Sequence, residues 1–237
     1  MKTQNQINQI IQNQDEIKTT KEGKTNTELY VQLGMIAVLA LVIVFNAGKI
    51  YSSSGASGII GLATGIEAVS ASDIIPKGTP KVYGAELGVK YDDISPNNPA
   101  LADLTISKLT KYENTELNNG QMQRYIKIGT SISCEYCCGA EAIIFPNGQR
   151  ACGCAHSFAM RGLAKYLLTK HPDMSDEAIL SELGKWKVLF FPGVHEQKAQ
   201  SLKEKGIDPT NYINLASNLY RGIEQGQASS SGMVGGC

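Results

Sequence analysis

The chain has 237 residues, 42% of them hydrophobic, enough for one ordinary globular domain with appendages. Lys plus Arg and Asp plus Glu balance at 22 each, so the basic excess of a nucleic-acid binder is missing and nucleic acid is excluded as the expected partner. The six cysteines are unevenly spread, and that unevenness carries most of the functional information.

Residues 1–30, rich in Gln, Asn, Thr and Lys, hold too few apolar side chains to offset the entropy of folding alone, and read as a polar cytoplasmic segment. Leu33 through Ile50 is an almost uncharged run with no polar side chain before Asn46. Its length and composition predict a single transmembrane helix over 31–51, in preference to a core helix or a cleaved signal peptide. Lys18, Lys21 and Lys24 precede it and only Lys49 stands at its far end, which keeps the N-terminus in the cytoplasm and places the C-terminal domain outside the cytoplasm at the cell membrane. Residues 52–80, rich in Ser, Gly and Ala and ending on Pro76 and Pro80, read as a flexible linker.

A folded domain is expected over 81–225. Pro96-Asn-Asn-Pro99 is a turn signal, and Leu101, Leu104 and Leu109 mark a helix from Ala100 to Leu109. Arg124 to Ser133 alternates Tyr125 and Lys127 against Ile126 and Ile128, which reads as a strand. Ala142 to Phe145, Pro146-Asn-Gly148 and Gln149 to Cys152 read as a β-hairpin, the Asn-Gly pair supplying the positive φ of its turn. Ala155 to Lys170 is helical in pattern, with Ala159, Leu163, Tyr166 and Leu167 on one stripe and His156 at its N-terminal end. Ser175 caps a further helix through Lys187 that carries Trp186, Pro192-Gly193 places His195 in a loop, and shorter helices follow at Lys198 to Lys205 and from Asp208 to about Ile223. The predicted fold class is therefore α+β: a small domain with a Cys-rich knuckle and β-hairpin packed on several helices, behind one membrane-spanning helix. Residues 226–237 form a flexible tail ending in Cys237, either a disordered tail with an incidental thiol or an arm that brings Met233 and Cys237 to a soft metal.

Cys134-Glu-Tyr-Cys137-Cys138 and Cys152-Gly-Cys154-Ala-His156 gather five of the six cysteines and one of three histidines into about two dozen residues. Thiolates and a neutral imidazole at such spacing suit Zn²⁺ first, with Cu(I) or an iron–sulfur cluster as alternatives, so Cys134, Cys137, Cys138, Cys152, Cys154 and His156 are the candidate metal ligands. A disulfide-stapled domain is the competing reading, disfavoured because adjacent and one-apart cysteines close poor disulfide rings. Cys134-Glu-Tyr-Cys137 has the form of a thiol–disulfide redox pair but lacks the long helix such a pair normally opens. Arg161 and Lys165 read as a solvated face or an anion contact, and Glu135 and Glu141 as solvent-facing. No catalytic residues are identified, and a membrane, a metal ion and a protein partner are the expected interactors.

Knuckle, hairpin and ligands at a helix entrance, in that order from Ser133 to Lys170, resemble the treble-clef class of zinc finger. That resemblance implies Cys134 and Cys137 or Cys138 from the knuckle with Cys152 and Cys154 from the helix entrance, His156 competing as fourth ligand; treble clefs generally space the second pair by two residues, where this chain has Gly153 alone. Tyr136-Cys137-Cys138-Gly139 and Cys152-Gly-Cys154-Ala-His156-Ser157, with the helix after them, are similar to the PCYCGC-motif lipoproteins of the cell exterior, although no lipobox cysteine precedes the domain. That similarity implies a membrane-tethered, metal-associated protein.

Overall fold

A computed structural model describes residues 30–38, 68–225 and 232–235. The chain divides into two compact units, Met1–Ile60 and Gly61–Cys237. In the first, residues 30–38 are helical and exposed. No helix among the described residues is long and apolar enough to cross a membrane. That corrects the spanning helix expected over 31–51, the rest of which lies outside the described residues, as do the expectations for 1–29, most of 52–80, and Cys237.

The second unit is helical among its described residues, with one-turn helices α1 (Ala71–Ile74) and α2 (Gly84–Leu87), then α3 (Pro99–Thr110), α4 (Asn119–Thr130), the single turn α5 (Glu135–Cys138), α6 (Ala155–Lys170), α7 (Asp176–Phe190), α8 (Pro192–Glu204) and α9 (Tyr212–Ala216). Among the described residues there is no β-strand, only the isolated antiparallel bridges Cys134 with Ala140 and Ile144 with Arg150. The α+β expectation is therefore corrected to an all-helical packing.

Two local mistakes in the sequence reading produced the strands. Arg124 to Ser133 belongs largely to α4, whose start is set by a capping box between Asn118 and Gln121. Its core contacts are Tyr125, Ile128 and Ile132, spaced three and four apart, a helical period that the short alternation hides. The expected hairpin keeps its turn, with Gly148 at φ 82° and Gly148 N–H donating to Phe145 O at 2.8 Å. Its flanks pair only around the Ile144–Arg150 bridge, where Phe145 N–H donates to Gln149 O and Ala151 N–H to Ile143 O; further out the backbone is engaged elsewhere, Ile143 N–H donating to Gly129 O and Ile132 O and Cys152 O accepting from Arg161.

Helix α6 is the centre of the domain, with eleven of its residues buried against α3, α4 and α7. Gly162 sets the closest approach: a Cβ there would collide with the Leu109 carbonyl oxygen and stand 3.1 Å from its carbon, so α6 lies against the C-terminal end of α3 with backbone touching backbone. Trp186 is fully buried on α7, as its periodicity predicts, and donates to Tyr83 Oη at 2.6 Å. Pro192, read as the end of a segment, is instead the first residue of α8, where its missing N–H costs nothing. His195 consequently sits inside a helix and is fully buried.

Beneath the helix crossing, Glu113 (5% exposed) accepts from Arg161 Nε at 2.9 Å and from Arg150. Burial by itself would raise this carboxyl's pKa, but the two guanidiniums outweigh it and hold Glu113 below the usual carboxylate range. A depressed folded pKa means stability that is full above the unfolded value of about 4.3 and lost as the pH falls through the folded value. The urea midpoint is expected to decline on acidification through this window, and Glu113→Gln should flatten the decline while lowering the midpoint at neutral pH. An unchanged pH profile in the variant would show that other carboxylates govern acid stability.

Candidate metal centre

Cys134 is the N-cap residue of α5, a single helical turn that ends on Gly139 in the left-handed conformation (φ 69°). That turn throws Cys137 and Cys138 back beside Cys134. On the other side, Cys154 is the N-cap of α6 and its sulfur accepts from Ser157 N–H at 3.4 Å. The link between the halves is Arg161, nearly two turns into α6 and fully buried, whose Nη1 donates to Ile143 O at 3.0 Å and to Cys152 O at 2.8 Å. A buried guanidinium thus fixes the strip that carries Cys152 onto the helix that carries Cys154.

The result is a convergence of the sulfurs of Cys134, Cys138, Cys152 and Cys154, all within 4.8 Å of one another. Cys134 and Cys154 are free thiols with sulfurs 3.1 Å apart, whereas Cys138 and Cys152 are joined in a disulfide. Cys138 is the exposed member of the four; the others are buried. Cys137, Cys154 and His156 form a second group whose ligand atoms also lie within 4.8 Å of one another, and Cys137 is itself disulfide-bonded. All six candidate residues are therefore brought together, but in two overlapping sets that share Cys154.

The Cys134 thiol donates to Cys154 and so moves Cys154 down to about 4, with hydrogen bonds from Ser157 adding to the effect; Cys134 moves up for the same hydrogen bond and because it is buried. One proton shared between the two sulfurs is the state this pair prefers.

A layer of buried charge backs the cluster. Lys187, fully buried, donates to Ser133 Oγ at 3.2 Å, Glu135 Oε1 at 3.2 Å and Ala216 O at 3.0 Å. Burial pulls its pKa down to about 8 against the opposing pull of Glu135. Glu135 also accepts from Arg221 Nε at 2.6 Å, so it faces this network and not solvent, which corrects its sequence reading; the Glu141 side chain is 87% exposed, as expected. Tyr136 donates to Glu224 at 2.9 Å and packs edge-on against Phe191 and His195.

Arg161 and Lys187 are the site-positioning residues that sequence reasoning missed. Both lay within reach of a helical-wheel argument: Arg161 shares a face with buried Ser157, Ala164 and Leu168, and Lys187 shares one with buried Leu183 and Phe190. A single charge on an otherwise buried face is the signal. The carboxyl-terminal segment also reaches the core. Val234 is buried, its N–H donates to Phe190 O at 2.9 Å, and its carbonyl lies 2.9 Å from His156 Nε2.

Comparison of the chain with protein-family models, with curated proteins and with solved structures gives no match.

Proposed function

We propose that the reduced protein binds one thiophilic metal ion, Zn²⁺, through Cys134, Cys138, Cys152 and Cys154, and that its function is metal binding and not catalysis. The observation that carries this reading is the convergence of four sulfurs from two separate segments to within 4.8 Å. Tetrahedral coordination with Zn–S bonds of about 2.3 Å needs sulfur separations near ~3.8 Å, which small side-chain movements supply. A multi-iron cluster would interpose several metal atoms and hold its cysteines further apart than this, so a single ion fits better.

Two further features support the choice. A divalent ion with four thiolates carries a net charge of −2, and burying that charge requires positive groups nearby. Fully buried Lys187, bonded to the residue before Cys134 and the residue after it, lies where it can offset part of that charge. The backbone amide of Ser157 at the N-terminus of α6 acts on Cys154 in the same sense. The donor set is closed, with no carboxylate in it, which matches a binding or structural site better than a hydrolytic one.

One observation favours a second state of the same residues: the Cys138–Cys152 disulfide removes two of the four thiolates. Zinc binding is therefore expected to require reduction. Titrated under anaerobic reducing conditions against a chromophoric chelator, the full-length chain should take up one Zn²⁺. Cys134→Ser and Cys154→Ser should lose stoichiometric uptake, and Cys137→Ser should keep it. Full uptake by the Cys134 or Cys154 variant would overturn the assignment.

A further inference from the structure

The disulfide does not exhaust the donor set. With Cys138 and Cys152 joined, and Cys137 also disulfide-bonded, the remaining soft donors are the free thiols of Cys134 and Cys154, sulfurs 3.1 Å apart. His156 adds a third. Its ring is fully buried, packed on Phe190 at 4.6 Å and Phe191 at 5.1 Å between centroids. Its Nε2 stands 2.9 Å from the Val234 carbonyl oxygen, an acceptor only, so the ring proton belongs on Nε2. Nδ1 then carries the lone pair, and it is buried with no hydrogen-bond partner. A buried, unpartnered imidazole nitrogen is costly unless something binds it. The carbonyl that fixes the tautomer is the arrangement by which proteins orient a metal-ligating histidine. His156 and Cys154 belong to one helix terminus, with their ligand atoms within 4.8 Å; Cys134 joins them through Cys154, its sulfur 3.1 Å away, and side-chain movement must close its remaining separation from His156.

We propose that Cys134, Cys154 and His156 Nδ1 form a three-coordinate site for cuprous ion when Cys138 and Cys152 are oxidised. Three arguments select Cu(I) over Zn²⁺. Two thiolates and one imidazole are the soft donors that Cu(I) prefers. Zinc takes four ligands, and the burial of Cys134 (0% exposed) and His156 (0%) leaves poor access for a water in the fourth position. A monovalent ion with two thiolates leaves a net charge of −1, which the buried Lys187 can offset more completely than the −2 of the four-sulfur state. The oxidation state of the Cys138–Cys152 pair thus selects between two donor sets and two metals. Val234, whose carbonyl fixes His156, ties the carboxyl-terminal segment to this site.

The site does not need the four-sulfur zinc reading to hold, and the test separates them. The Cys138→Ser/Cys152→Ser double variant removes the outer pair and leaves all three proposed ligands. Under anaerobic reducing conditions, in competition with a Cu(I)-specific chromophoric chelator, the full-length double variant should bind one Cu(I). X-ray absorption should report two sulfur neighbours and one nitrogen. Adding His156→Gln, whose side-chain amide can keep the bond to Val234 O but has no Nδ1 lone pair, should weaken Cu(I) binding at least about tenfold and remove the nitrogen neighbour. Should the double variant fail to fold, wild type carrying the mapped Cys138–Cys152 disulfide is measured anaerobically without any thiol or phosphine reductant, with ascorbate keeping the copper cuprous and the disulfide mapped again afterwards. Absence of a stoichiometric Cu(I), or an all-sulfur environment that His156→Gln leaves unchanged, overturns the proposal. Loss of zinc binding by the reduced wild type, with Cu(I) binding intact, would instead overturn only the four-sulfur reading.

Discussion

Replacing Arg161 by methionine is expected to lower stability by about 3 kcal/mol or more and to cost the proposed zinc site its affinity as well. The guanidinium is fully buried and donates to Glu113, Ile143 O and Cys152 O at once. Methionine fills a similar volume but leaves a buried carboxylate and two carbonyls short of a donor, and breaking one side of a buried ion pair costs about 3–5 kcal/mol. Arg150 still bonds Glu113, which places the effect at the lower end of that range. At about 2–4 °C per kcal/mol for a domain of this size, the melting temperature should fall by roughly 6–12 °C. Arg150→Met, at the half-exposed partner of the same carboxylate, should cost much less. Affinity of the proposed zinc site should fall in Arg161→Met because the hydrogen bonds that tie the Ile143 and Cys152 carbonyls to the helix bearing Cys154 are lost, leaving Arg150 against Phe158 as a weaker contact. An unchanged melting temperature would mean that the buried guanidinium does not organise the site.

Gly162→Ala is the second large effect. The added methyl group meets the Leu109 carbonyl on α3, backbone that cannot rotate away, and Glu113 N lies 3.3 Å from the same point. Separating α6 from α3 to make room should cost about 1–3 kcal/mol, the usual range for overpacking a dense core. Gly153→Ala is the control: it sits between two metal ligands, yet its Cβ would meet nothing within 4 Å, so it should change stability by less than about 0.5 kcal/mol. Thermal unfolding of the two variants side by side distinguishes a glycine required by packing from one with open space around it, and equal losses would contradict this account of the crossing.

The helices that begin at strong caps were legible. Asn98 before Pro99, the Ala155 to Lys170 stripe and Ser175 before two acids mark α3, α6 and α7 close to their observed bounds. Helix α4 was not, because Tyr125, Ile126 and Ile128 also satisfy a short alternation; the Asn118 to Gln121 capping box was the signal that decides between the two periods. The hairpin stops at a single bridge for a reason no local pattern contains, since Arg161, nine residues beyond Cys152, takes the Cys152 carbonyl, and Ile143 N–H turns to Gly129 O and Ile132 O.

At the site, ligand spacing identified which residues converge, because a cysteine at a one-turn helix and another at a helix cap need only a short connection to meet. It did not reveal that Cys154 belongs to two donor groups or that buried Lys187 and Arg161 frame them, since charged residues are placed outside by default. The docking of Val234 was equally hidden. A Ser- and Gly-rich tail has no period, and the anchoring of Val234 rests on its N–H donating to Phe190 O and its carbonyl lying against the His156 ring Nε2.

The most direct test of the four-sulfur centre is zinc-edge X-ray absorption on the reduced full-length protein loaded with one equivalent of Zn²⁺. Four sulfur neighbours at about 2.3 Å, reduced to three in Cys138→Ser, are the expected result. A first shell made mainly of nitrogen and oxygen, or one that Cys138→Ser leaves unaltered, would contradict it.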